Sequence, residues 1–182
     1  MIVLRDMREG DIEDYVRWFA KDTEWMRWDA PWEGDIPSEE DARREWRAYY
    51  EAVRNRPADA FRRKYEIEAD GLHVGWVSAY QDMEYFDNRD GHYAVGIDIP
   101  ERSARRRGVG TQALAQFIET FRARGETVVY TQTWSGNTAM IALARRLGFR
   151  EAARTSGVRE VEDRRYDALT FEKVLAANFE KL

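Results

Sequence analysis

Cysteine is absent from this chain. That excludes disulfides, thiolate-bound metals and cysteine nucleophiles, and it fits a reducing cytoplasm. Histidine occurs only at His73 and His92. With no carboxylates spaced to join them, no metal site is expected. No apolar run approaches the roughly 20 residues that cross a bilayer. The start, Met-Ile-Val-Leu-Arg-Asp-Met-Arg-Glu, lacks a signal-peptide pattern, so the expected location is cytoplasmic, without membrane partners. Ser135 does not stand in a Gly-x-Ser-x-Gly elbow, which removes that hydrolase signature. Basic charge is also short. Twenty-nine Lys and Arg against 34 Asp and Glu leave a net charge of −5, which argues against a nucleic-acid partner and leaves room for a cationic small molecule or a basic peptide end.

Aromatic and aliphatic residues are plentiful, and the 182 residues are read as one domain able to bury a substantial core. Ile2–Asp6 reads as a first strand. Ile12, Tyr15, Val16 and Phe19 recur at helical spacing in a helix over Asp11–Ala20. Thr23–Pro37, rich in tryptophan and proline, reads as an irregular loop or broken helix. Ser38-x-x-Asp41 opens a helix to about Arg54. Phe61–Ala69 and Leu72–Tyr80 are strands joined at the Asp70-Gly71 hairpin signal. Gln81–Gly91 is a polar loop, and apolar His92–Ile99 is a strand buried on both faces. Gly110–Arg124 is a helix stopped by Gly125. Val128–Trp134 is a strand, and Asn137–Leu147 is a helix stopped by Gly148. Phe149–Ala153 and Tyr166–Val174 close the chain as strands.

The densest signal lies where the strand ending at Ile97-Asp98-Ile99-Pro100 meets Glu101-Arg102-Ser103-Ala104-Arg105-Arg106-Arg107-Gly108-Val109-Gly110-Thr111. A helix N-terminus carries positive partial charge, which disfavours cations. Arg105, Arg106 and Arg107 crowd it nonetheless, and an anion such as a diphosphate would resolve the conflict. Gly108 and Gly110 permit unusual dihedrals and close ligand approach. The plain alternative is a solvated arginine loop. Asn137 likewise reads as an ordinary N-cap.

The Arg105-x-x-Gly108-x-Gly110 pattern resembles the Gln/Arg-x-x-Gly-x-Gly/Ala loop of the GNAT superfamily of N-acetyltransferases, set like it after the fourth strand. The resemblance continues in Tyr130-Thr131-Gln132-Thr133-Trp134, then Asn137, then Arg146-Leu147-Gly148-Phe149. Tyr166-Asp167-Ala168-Leu169-Thr170-Phe171 is similar to the family's last strand. The likeness implies an α/β (α+β) fold: a mixed, mostly antiparallel twisted sheet of about six to seven strands with about four helices, splayed between strands four and five. It implies acetyl-CoA as cosubstrate and no metal. The backbone from Arg106 through Arg107, Gly108, Val109 and Gly110 to Thr111 would hold the pyrophosphate. Ile97 and Ile99 would pair with the pantetheine arm, and Asn137 would contact the cofactor. Pro100, lacking an N–H, would weaken pairing where the strands part.

The implied reaction is direct attack of an amine on the thioester. The Ile99 N–H is the expected oxyanion donor. Asp98, a carboxylate within an apolar run, is the first candidate base, since burial raises a carboxylate pKa; Glu84 is the second and His92 the third. Many relatives place an acidic tyrosine where this chain has Ala144, which leaves water, Tyr130 or Tyr166 to protonate the leaving thiolate. Trp28 and Trp32, interleaved with Asp29 and Glu33, suit an organic cation, although a tryptophan-rich core with solvated acids is the alternative. The pattern lies near ribosomal-protein N-terminal and spermidine acetyltransferases, so the acceptor is a small or peptide amine. A homodimer is admitted. Two other classes compete: an acyl-CoA sensor without turnover, suggested by Ala144, and a nucleic-acid module using the arginine run.

Overall fold

The computed structural model describes residues 1–175. Strands β1 (Ile2–Arg5), β2 (Lys64–Ala69), β3 (Leu72–Tyr80), β4 (Tyr93–Asp98), β5 (Val128–Trp134), β6 (Arg150–Val161) and β7 (Arg164–Val174) form one sheet in the order β1-β2-β3-β4-β5-β7-β6. The helices are α1 (Asp11–Ala20), α2 (Met26–Asp29), α3 (Glu39–Val53), α4 (Val109–Ala123) and α5 (Thr138–Arg146). The expected broken segment after α1 contains a 3₁₀ turn at Thr23–Trp25 and the single turn of α2.

Local chemistry explains most boundaries. Ser38 caps α3 by accepting the Asp41 N–H at 3.1 Å, which satisfies one of the helix's orphan donors. Asp70 and Gly71 take φ of 51° and 85°, the left-handed pair that a two-residue hairpin needs. Glu162 and Asp163, at 49° and 60°, make a second such turn. That turn corrects one expectation: the strand read as Phe149–Ala153 runs on to Val161.

β4 and β5 run parallel and pair only at Tyr93–Val129 and Ala94–Tyr130. Each keeps its outer partner throughout: β4 stays on β3 as far as Asp98, and β5 lies on β7 from Val128 to Trp134. Only the inner edges separate. The gap opens beyond Ala94, well before Pro100, so the missing proline N–H does not set where pairing stops.

Strand alternation assigns the two faces. Val95, Ile97 and Ile99 join the core beneath α4 and α5 with Leu114, Phe117 and Ile118. Asp98 is opposite Trp76, which is opposite Glu66, on the other face. There Trp76 packs with Tyr15, Trp18 and Trp25 under α1 and α3. Gly75 allows the strands to close up at this end, since a Cβ there would lie 2.0 Å from the Asp98 carbonyl oxygen.

Candidate active site

Gly108 caps α4 in a left-handed conformation at φ 79°, so the helix starts at Val109, one residue before the expected Gly110. The first helical backbone bond is Gln112 N–H to Gly108 O at 3.1 Å. The N–H groups of Val109, Gly110 and Thr111 therefore precede the helical ladder. A Cβ at Gly110 would lie 3.4 Å from Ile99 Cδ1 and 3.8 Å from Ile97 Cδ1. The bare glycine thus brings this donor-rich end directly beneath the splayed part of β4, where dipole and open amides favour an anion.

The three arginines divide. Arg105 turns away from the helix: its Nε donates to Ile99 O at 2.8 Å, Nη2 to Pro100 O at 2.9 Å and Nη1 to Glu24 at 2.7 Å. Its charge is therefore neutralised, and its guanidinium braces the end of β4 that carries the Ile99 N–H. Arg106 takes a positive φ of 59°, and exposed Arg107 stands 3.9 Å from Asp70. The crowding read from sequence is thus real only for the last two.

Asn137 is buried and used at both ends. Its Oδ1 accepts the Met140 N–H at 2.9 Å, capping α5, and its Nδ2 donates to the Trp28 carbonyl at 2.6 Å. The Trp134 indole donates to the same carbonyl at 2.9 Å. These bonds pin α2 to the tip of β5 and set Asp29 over the cleft. Trp28 itself is 45% exposed, and its indole donates to Glu24.

A cleft of about 210 Å³ lies beside this pin, lined by Asp29, Trp32, Glu33, Tyr80, Glu84, Gln132 and Arg159 among others. Asp29, Trp32, Glu33 and Glu84 were expected at the site, and the fold brings them together from α2 with the segment after it and from the loop between β3 and β4. Glu84 pairs with Arg159 and remains largely exposed. Tyr80 and Arg159 were not read from the sequence. Tyr80 looks like a strand-end core residue, and Arg159 lies beyond the strand boundary drawn at Ala153.

Four ionisable groups in this region are perturbed. Burial raises Asp98 well above the usual carboxylate range, and the Asp29 charge adds to this, whereas the Lys64 ammonium and the Trp76 indole oppose it. Asp29 keeps an accessible surface but is walled in by protein, and burial with the Glu33 charge lifts it to about 6. Burial lowers Lys64 to about 8 against the pull of Glu66 and Asp98; its ammonium lies 4.3 to 5.1 Å from the rings of Trp46, Tyr15, Tyr49 and Trp76. Tyr80 is raised by burial and by Asp29, Asp98 and Glu84, so it keeps its proton. The phenol of Tyr130 donates to Glu172 at 3.2 Å, Tyr166 packs edge-on against Trp134, and Ala144 is fully buried in the core.

His92 lies 4.0 Å from Glu126, with its ring centroid 6.1 Å from that of Tyr130. His73 meets acids that sequence spacing did not reveal: Asp11, Asp14 and His73 present ligand-type atoms within 4.8 Å of one another. Those acids are already engaged. Arg5 holds Asp11 at 2.6 and 2.8 Å, and Arg17 holds Asp14 at 3.2 Å. The cluster is accounted for as a buried ion network between α1 and the sheet.

The site thus combines a splayed mixed sheet, the open amide end of α4 under the gap and an acid-lined cleft beside it. The chain belongs to the GNAT acetyltransferase family: the Acetyltransferase (GNAT) domain matches residues 2–150. It is 37% identical over 82 residues to the L-methionine sulfoximine/L-methionine sulfone acetyltransferase of Pseudomonas aeruginosa PAO1, a match covering 45% of this chain and 46% of that protein. The chain thus spans about half the length of that relative. Among solved structures, RimL, a ribosomal L7/L12 alpha-N-protein acetyltransferase in complex with coenzyme A, superposes with a TM-score of 0.74 at 16% identity, over 97% of this chain and 96% of that one. YncA of Salmonella typhimurium, solved with its cofactor acetyl-CoA, gives 0.69 at 20% identity, over 97% and 95%.

Proposed function

We propose that the protein transfers the acetyl group of acetyl-CoA to a primary amine by direct attack within a ternary complex. The observation that carries this reading is the pair of features at one place: the gap between β4 and β5, and the unladdered amides of Val109, Gly110 and Thr111 beneath it. The residues fit the cosubstrate. The amides from Arg106 to Thr111 would take the diphosphate, and Arg106 and Arg107 would supply charge. The freed inner edge of β4 at Ile97 and Ile99 would bond the amides of the pantetheine arm, as an added strand would. Bound acetyl-CoA supplies the activated thioester.

The chain's own groups then divide the work. Asp29 lines the cleft and its charge acts on Asp98; one of these two carboxylates would receive the ammonium proton, directly or through water, and a poised carboxylate pKa suits this task. The Ile99 N–H, held in place by the Arg105 brace, donates to the developing oxyanion. Asp29 and Glu33 attract and orient the cationic amine, with Trp32 forming a wall of the cleft. Tyr80, which keeps its proton and shares the cleft with Asp29, would donate a proton toward the departing thiolate. Asn137 acts by holding α2 over the cleft. The test is release of free CoA thiol from acetyl-CoA across a panel of amines. Turnover with any member supports the transfer, and coenzyme binding with no turnover across the panel sinks it.

A further inference from the structure

The proposed transfer leaves open whether the acceptor is a small amine or the end of a polypeptide. Arg159 bears on that choice. It lies on β6 just past a register break between Thr155 and Arg159. Gly157 sits in that break at φ 67°, and its N–H donates to Asp167 at 3.0 Å. Bulges of this kind re-aim side chains. Here the bulge turns Arg159 across the cleft. Its guanidinium lies 4.0 Å over the Trp32 ring and 5.1 Å from the Tyr85 ring, and it pairs with the Glu84 carboxylate. The loop carrying Glu84 is itself tied down, because Gln132 donates to the Glu84 carbonyl at 2.8 Å.

One side chain therefore joins three separate segments: the loop after α2, the loop between β3 and β4, and the hairpin of β6 and β7. The bridge stands at the outer rim. Tyr85 is 48% exposed, and the Glu84 side chain is 66% exposed while that of Arg159 is only 17% exposed. The cleft behind it, at about 210 Å³, is smaller than the roughly 300–1,000 Å³ of drug-sized sites. Its acids, Asp29, Glu33 and Asp82, are not offset by the Arg159 charge, which Glu84 already pairs.

We propose that Arg159 sets acceptor size: bridging Trp32, Tyr85 and Glu84 over the rim, it confines the acceptor to a small cationic amine and excludes an amine that continues into a polypeptide. This rests on the acetyl-transfer reading above. Breaking the bridge removes a desolvated stack and an ion pair, and frees the rim for a chain to pass.

The test uses two matched probes with the same two ammonium groups, lysine amide and the tetrapeptide amide Lys-Ala-Ala-Ala. Their affinities are measured by calorimetry with coenzyme A present, for the wild type, Arg159→Ala and Arg159→Met. Methionine keeps apolar bulk on Trp32 without the charge pair, which guards against collapse of the alanine variant. The wild type is expected to bind the short probe at least about tenfold more tightly. Both variants are expected to shrink that ratio about tenfold, chiefly by gaining affinity for the tetrapeptide. Equal affinities in the wild type, an unchanged ratio in both variants, or no binding of either probe to a coenzyme-loaded protein would each overturn the proposal. Failure to bind coenzyme A would instead overturn the acetyl-transfer reading.

Discussion

The Asn137 side chain holds the Trp28 carbonyl at 2.6 Å while capping α5 through its other end. One buried amide thereby couples the helix after β5 to the segment that carries Asp29. The two bonds can be separated by substitution. Asn137→Ala loses both and is expected to cost about 1–2 kcal/mol, a fall of roughly 2–8 °C in Tm for a chain of this size. Asn137→Asp keeps the capping acceptor but sets a carboxylate oxygen against the Trp28 carbonyl, so a fall at least as large is expected. It should also raise the KM for the amine, because the Asp29 segment loosens. Equal amine KM in Asn137→Asp and the wild type would show that the tie to Trp28 does not position the cleft.

Asp98 gives a prediction in pH. Burial and the Asp29 charge hold it well above the usual carboxylate range, and Asp29 itself is at about 6. The base must be ionised to act, so kcat/KM is expected to fall as pH drops through the titration of this coupled pair. Asp98→Asn should lower the rate about 10²–10⁴-fold and reshape that acidic limb, leaving coenzyme affinity unchanged. A variant whose pH profile overlays that of the wild type would remove Asp98 from the proton transfer.

How far the sequence reached depends on the range of the interaction. α1, α3, the Asp70-Gly71 turn and the Gly108 loop follow from local periodicity and backbone chemistry, and they were legible. Asp29, Trp32 and Glu33 stood out as candidates by their local interleaving of charge and aromatics and Glu84 as a candidate base, and the fold sets all four around one cleft. The gap between β4 and β5 was expected, but not its start beyond Ala94, which depends on both strands keeping outer partners far away in the chain. Arg105 reads as one of three equivalent arginines until Glu24, from a distant turn, is brought to it. Arg159 was hidden for a similar reason. A bulge at Gly157 and a Glu162-Asp163 turn without glycine concealed how far β6 runs.

His73 predicts how stability varies with pH. Burial disfavours its charge, but the hydrogen bonds to Asp14 and Glu66 and the charges of Glu66 and Asp11 outweigh this and raise it to about 8. The folded pKa exceeds the unfolded one, near 6.5. The contribution is therefore complete below about pH 6.5 and is lost as pH rises through about 8. Urea midpoints for the wild type are expected to drop between about pH 6 and about pH 9. Arg62→Lys, outside this cluster, should retain that drop, and His73→Gln should lose most of it. A His73→Gln drop as large as that of the wild type would mean that other groups govern it.

Everything proposed for the cosubstrate converges on the amides of Val109, Gly110 and Thr111. Backbone amide NMR of the protein titrated with coenzyme A, and separately with pantetheine, which lacks the diphosphate, tests them directly. Coenzyme A is expected to shift those three amides together with Ile97 and Ile99, and pantetheine to shift only the β4 pair. Coenzyme A that binds without moving the Val109–Thr111 amides would contradict the account.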